Sequence, residues 1–150
     1  AFFVDKSFVE KDGARTLAIM TAGNFDPEKF VVLNEKLVIM GAATPVKTGA
    51  PQATTKASMS GEISIEASTP YPAILFISEI DYPGWEMYLD GKKTPYMRAN
   101  YVFRAVALNS GSHKIEFRYR PPSARAGLAI SLAGLLALSG LIGFNFKKSR

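Results

Sequence analysis

Apolar and polar positions alternate with a period of two through the second half of the chain, and that spacing predicts strands. In GEISIEAS (61–68) Ile63 and Ile65 fall on one face, with Glu62, Ser64 and Glu66 on the other. AILFISEI (73–80) is continuously apolar at first, as a central strand buried on both faces would be. WEMYLD (85–90) alternates again and runs into Asp90-Gly91, a strong signal for a two-residue hairpin. YVFRAVAL (101–108), the turn Asn109-Ser110-Gly111 and HKIEFRYR (113–120) complete the series, with Ile115, Phe117 and Tyr119 on one face of the last strand. Earlier in the chain the pattern is weaker. FVVL (30–33) reads as a short strand, and residues 41–56, rich in Gly, Ala, Pro and Thr, as an irregular connection or weak edge strand. DGARTLAIMTAG (12–23) predicts a short helix capped by Asp12 and stopped by Gly23, with Leu17, Met20 and Thr21 on one face, although TLAIM also suits a strand. Six or seven short strands joined by Gly, Pro and Asn turns indicate a mainly β domain, an antiparallel Ig-like or jelly-roll β-sandwich over residues 1–120.

The pattern changes at the C-terminal end. Ala126 to Phe146 (AGLAISLAGLLALSGLIGFNF) carry no formal charge. As a helix this stretch would be about 31 Å long, enough for a hydrocarbon core of roughly 30 Å, and it has no polar face. A transmembrane helix over 126–146 is expected, preceded by a Pro linker at 121–125 and followed by a basic tail at 147–150. Lys147, Lys148 and Arg150 are denser than Arg120 and Arg125 on the other flank, which favours a cytoplasmic C-terminus and an extracytoplasmic β-domain. Gly127, Ser131, Gly134, Ser139, Gly140 and Gly143 include two small-xxx-small spacings, which suit packing against other membrane helices of the same polypeptide or of an oligomer. The opening AFFVDKSF has neither a Met nor a signal-peptide pattern, so the chain reads as the C-terminal piece of a longer membrane protein.

Composition narrows the chemistry. The chain has 150 residues and no Cys, which removes disulfides, thiolate metal sites and cysteine nucleophiles. A single histidine, His113, cannot build a multi-histidine metal cluster and reads as a hydrogen-bonding turn residue. The net charge of +5 is concentrated around the apolar segment; residues 1–124 hold 14 basic against 13 acidic side chains, so no nucleic-acid partner is implied. No glycine-rich phosphate loop, nucleophile elbow or calcium loop occurs, and no cofactor or metal is expected.

Several residues invite a functional reading beside a structural one. Tyr82-Pro83-Gly84-Trp85 predicts a tight corner between strands. Trp85, with Tyr82 beside it, suits a stacking platform for a sugar ring, and Trp85 equally suits a core plug beside Phe76 and Phe117. Arg98, Arg104, Arg118 and Arg120 could meet a lipid phosphate, since guanidinium pairs bidentately with phosphate; the alternative is a solvated face with ion pairs to Glu116 and Glu86. Glu79, Asp81, Glu86 and Asp90 suggest acid–base work, but Asp90 is better explained by its turn, and no catalytic residue is assigned.

The stretch EIDYPGWEMYLDGKK, then RANYVFRAVALNSGSHKIEFRYRPPSARAGLAISLAG, resembles the C-terminal part of the YfhO family of bacterial polytopic membrane proteins. The resemblance rests on Tyr82-Pro83-Gly84-Trp85, Asp90-Gly91-Lys92, Ala99-Asn100, Phe103-Arg104-Ala105-Val106, Gly111 with His113, and Phe117-Arg118-Tyr119-Arg120-Pro121. Gly127, Ser131 and FDPEKFVVLNE (25–35) extend it over most of the chain. It implies a GT-C-like glycosyltransferase that uses a polyprenyl-phosphate sugar on cell-envelope glycans outside the cytoplasm. This chain would then supply the β-domain that shapes the active-site mouth or acceptor site, and the last helix in the bacterial cell membrane. The catalytic acid of such enzymes lies in an early outer loop, and no position here matches it. Alternative readings are a non-catalytic Ig-like module that binds glycan or protein, or a structural domain of a transporter.

Overall fold

A computed structural model describes residues 1–41, 49–58 and 61–148. The chain is mainly β, with one long apolar helix among the described residues at its C-terminal end, as the alternation and the uncharged stretch predict. It divides into two compact units, Ala1–Tyr119 and the segment from Arg120 onward. The first unit contains β1 (Phe2–Val4), β2 (Lys6–Val9), α1 (Gly13–Thr21), β3 (Phe30–Leu33), β4 (Ile39–Met40), β5 (Gln52–Ser58), β6 (Glu62–Thr69) and β7 (Ala73–Ile77). It continues with β8 (Trp85–Leu89), β9 (Lys92–Lys93), β10 (Met97–Ala99), β11 (Phe103–Leu108) and β12 (Gly111–Tyr119). The second unit is α2 (Pro122–Lys148).

The strands form two sheets. One runs β1-β7-β11-β10-β3-β2 with β4 along β11, and the other runs β5-β6-β12-β8-β9. Parity decides which side chains the sheets enclose. Ile63, Ile65, Met87, Leu89, Ile115 and Phe117 from the second sheet meet Leu75, Ile77, Val106 and Leu108 from the first. Ile74, Phe76, Ala105 and Ala107 point the other way and join Val31, Leu33 and Met97 in a second cluster closed by Leu37 and Phe103. The continuous apolar run of β7 is thus explained: both of its faces are buried.

Some expectations need correction. The pairings β2–β3 and β4–β11 are parallel, not antiparallel. The first has a plain cause, because α1 lies between β2 and β3 and supplies the crossover that a parallel neighbour requires. Phe2–Val4, Lys6–Val9 and Met97–Ala99 are strands that the alternation did not expose, being too short for a period to show. β11 starts at Phe103, not at Tyr101, because Asn100 and Tyr101 turn with φ of 45° and 72°. In α1 the Asp12 side chain accepts from the Arg15 N–H at 2.8 Å, as its capping role requires, yet Ala22 is the C-cap and Thr16 the buried residue, while Leu17 is exposed. Asp90 (φ 51°) and Gly91 (φ 80°) make the expected hairpin turn between β8 and β9. Within 41–56, residues 42–48 lie outside the described residues, and β5 is an edge strand of the second sheet.

α2 starts at Pro122, so residues 122–125, expected as part of a linker, are helical. Proline is at ease there because its missing N–H is not needed in a first turn. Its window Pro122–Ser139 has a mean hydropathy of 1.3 and none of it is buried, so this is one helix long and apolar enough to cross a membrane. Of the expected basic tail, 149–150 lie outside the described residues.

Candidate functional site

β11 places Arg104 in phase with Val106 and Leu108, so its side chain enters the space between the sheets. There Arg104 is 1% exposed and among the largest fully buried side chains. Its guanidinium carbon lies 4.4 Å from the Trp85 ring centroid, 4.9 Å from that of Phe117 and 5.7 Å from that of Tyr96. One Nη2 donates to the Ile80 carbonyl, whereas Nε and Nη1 have no hydrogen-bond partner among the described residues. Burial pulls the Arg104 guanidinium below its usual range, opposed by the nearby Tyr96, Asp81 and Glu79. Three aromatic faces take the place of a carboxylate partner here.

An acid lies beside this cluster but is otherwise engaged. Asp81 accepts from the Tyr96 hydroxyl at 2.7 Å and from Arg98 Nε at 3.2 Å. Burial, and then the bond to Asp81, push the Tyr96 phenol up to about 12 from an ordinary value near 10. The sign follows from proton binding: the folded state holds this proton where the unfolded chain releases it, so the contribution is complete below pH 10 and is lost as pH rises towards 12. Stability of the β-unit should therefore fall more steeply across that window in the natural chain than in Tyr96→Phe. Urea midpoints taken at steps between about pH 9 and 12 check this, and parallel slopes would refute it.

The five side chains singled out in the sequence end up in three settings. Trp85 and Arg104 are stacked on each other, and Tyr82 joins them through Tyr119, whose ring lies 5.2 Å from Trp85 and 6.5 Å from Tyr82. Trp85 borders the inter-sheet core, as a core plug would, but Phe76 is in the other cluster. Arg118 points to the outer face of β12, where it pairs with Glu116 at 3.5 Å and covers the Tyr88 ring at 4.5 Å. Arg120 follows β12 and is exposed. Arg104 and Arg118 are not brought together: β11 of one sheet turns Arg104 into the inter-sheet space, and β12 of the other turns Arg118 outward. The signal for Arg104 was in its parity with Val106 and Leu108; Tyr96 and Asp81 carried no such signal.

Two of the remaining candidate acids also have structural work, while Glu79 is exposed. Glu86 pairs with Lys93 and accepts from the Tyr88 hydroxyl at 3.1 Å. Asp90 accepts from the Lys114 N–H at 2.8 Å and lies 2.8 Å from His113 Nδ1. His113 is hydrogen-bonded, as expected, but lies buried within β12 rather than in the turn, and its ring packs where a side chain on Gly41 would sit, 2.7 Å away. Among the described residues no three His, Cys, Asp or Glu side chains come together to hold a metal ion. A groove of about 660 Å³ is bordered by Phe2, Asp5, Ser7, Leu37, Tyr71 and Ile74, and none of the five candidates borders it.

A model of the family described as bacterial membrane protein YfhO matches residues 22–131, which is 110 of the 150 residues. The match takes in β3 to β12, every candidate side chain and the first part of α2. No curated protein and no solved structure matches the chain.

Proposed function

The chain belongs to the YfhO family of bacterial membrane proteins, and on that premise we propose that it is the extracytoplasmic β-domain and last membrane helix of a polytopic glycosyltransferase. The enzyme would move sugar from a polyprenyl-phosphate donor to cell-envelope glycans. The β-domain shapes the mouth of the site and performs no chemistry itself. One observation carries the accessory role: three of the four candidate acids, Asp81, Glu86 and Asp90, each serve a neighbouring side chain or turn, and Arg104 is sequestered against Trp85. A general acid or nucleophile must instead reach substrate directly. The basic residues after the apolar stretch support an orientation with the C-terminus in the cytoplasm.

Membranes containing the full-length protein, supplied with a labelled polyprenyl-phosphate sugar, test both parts. The natural protein should label envelope glycan, and Asp81→Asn and Glu86→Gln should retain transfer in proportion to the folded protein present. A loss on the order of a thousandfold in either variant, with folding intact, would give that acid a chemical role. No transfer by the natural protein would overturn the enzyme reading and favour a structural domain of a transporter.

A further inference from the structure

The aromatic row that begins at Arg104 does not end inside the sandwich. From Trp85 it passes to Tyr119 and on to Tyr82, which is 61% exposed, and Tyr119 is 38% exposed. Ile80, on the same β7–β8 connection as Tyr82, is also 61% exposed. Large apolar surface left in water gains nothing for the fold that carries it.

Chain connectivity says what this patch meets. Tyr119 is the last residue of the β-unit, and only Arg120 and Pro121 separate it from Pro122, where the apolar helix begins. Three Cα steps span at most about 11 Å. The headgroup layers add roughly 5–8 Å on each side of the hydrocarbon core. If α2 crosses the bilayer, Tyr119 is tethered close to the headgroup layer. Tyr and Trp favour that depth because a flat apolar ring enters the acyl boundary while its polar tip stays hydrated. A sugar subsite would in addition need free polar groups converging on the rings. Asp81, the carboxylate next to Tyr82 in the chain, is already bonded to Tyr96 and Arg98.

We propose that Ile80, Tyr82 and Tyr119, with Trp85 behind them, form a lipid-contacting patch that sits in the phospholipid headgroup zone and fixes the height of the β-domain above the bilayer. The patch rests on α2 being membrane-spanning and is independent of sugar transfer. Trp85 is the chain's single tryptophan and therefore a built-in reporter. The experiment reconstitutes the 150-residue chain in vesicles of phosphatidylcholine and phosphatidylglycerol, without any polyprenyl phosphate. The lipids carry a nitroxide either on the headgroup or deep in the acyl chain. Headgroup nitroxide should quench Trp85 emission about twofold more than the deep label.

A second reporter, Tyr82→Trp in a Trp85→Phe background, moves the fluorophore to the exposed end of the row and should be quenched by the headgroup label at least as strongly. Emission that responds only to aqueous iodide, or more to the deep label than to the headgroup label, would overturn the proposal. Because no sugar is present, either result leaves the transfer assay to stand or fall by itself.

Discussion

Arg104→Ala is expected to lower the unfolding free energy of the β-unit by about 3 to 4 kcal/mol, whereas Arg104→Met should stay within about 1 kcal/mol of the natural chain. The contrast separates what the stem does from what the charge does. The stem fills space between two sheets, bounded by Trp85, Phe117 and Tyr96, and truncation to Ala opens a cavity there. The charge has opposing effects. Nε and Nη1 are buried without partners among the described residues, which costs on the order of 1–3 kcal/mol each. Desolvated cation–π contacts with three rings return about 2 kcal/mol or more, and the bond to the Ile80 carbonyl adds about 1.5–3 kcal/mol. Those terms nearly cancel, so a flexible apolar side chain of similar length should serve almost as well. Urea unfolding in detergent, followed by near-ultraviolet circular dichroism, measures both variants. If Met proved as damaging as Ala, the cation itself would be what the core requires.

The same residue shows where sequence reasoning succeeds and where it stops. Alternation located β6, β8 and β12 because each has one buried and one wet face, so polar residues mark every second position. Asp90-Gly91 was legible because only a few residues tolerate positive φ in succession. The first two strands were not legible. They are three and four residues long, and the tertiary partners that make them strands lie far along the chain, at β7 for the one and β3 for the other. Charge misled in the candidate site. An arginine invites a solvated or phosphate-binding reading, but its place in the β11 alternation outweighs its polarity once aromatic rings stand in for water. What no local pattern contains is that Tyr96 and Asp81, fifteen positions apart, would be bonded beside it.

That partition bears on the proposed accessory role. A catalytic centre keeps reactive groups unspent and reachable, and perturbs them for use. Here Tyr96 and Arg104 are both shifted chiefly by burial, side by side, and the nearby acid is shared between two donors. The cluster has the character of a rivet that joins β8, β11 and β12 at one end of the sandwich, with its surface-exposed tyrosines left over for a partner outside the domain.

Asn100→Ala should destabilise the β-unit by about 3 kcal/mol, although the residue touches no candidate site and its side chain is small. Asn100 is 3% exposed and sits at the β10–β11 turn with φ 45°. Its backbone N–H donates to the Val32 carbonyl at 2.8 Å, and its side-chain Oδ1 accepts from the Val32 N–H at 2.8 Å. One residue thus extends β3 past the end of β10, supplying from its side chain the acceptor that a strand neighbour would otherwise provide. Alanine removes that acceptor and leaves a buried N–H unpaired, at about 1–3 kcal/mol. It also tolerates left-handed backbone less well than Asn does, at a further cost of about 1 kcal/mol. Asn100→Gly separates the two effects, since glycine relieves the backbone but restores no acceptor. It should recover about a third of the loss, as read from the shift in urea midpoint. Full recovery by glycine would mean that the turn's handedness alone fixes this asparagine. No recovery would mean that the bond to Val32 does.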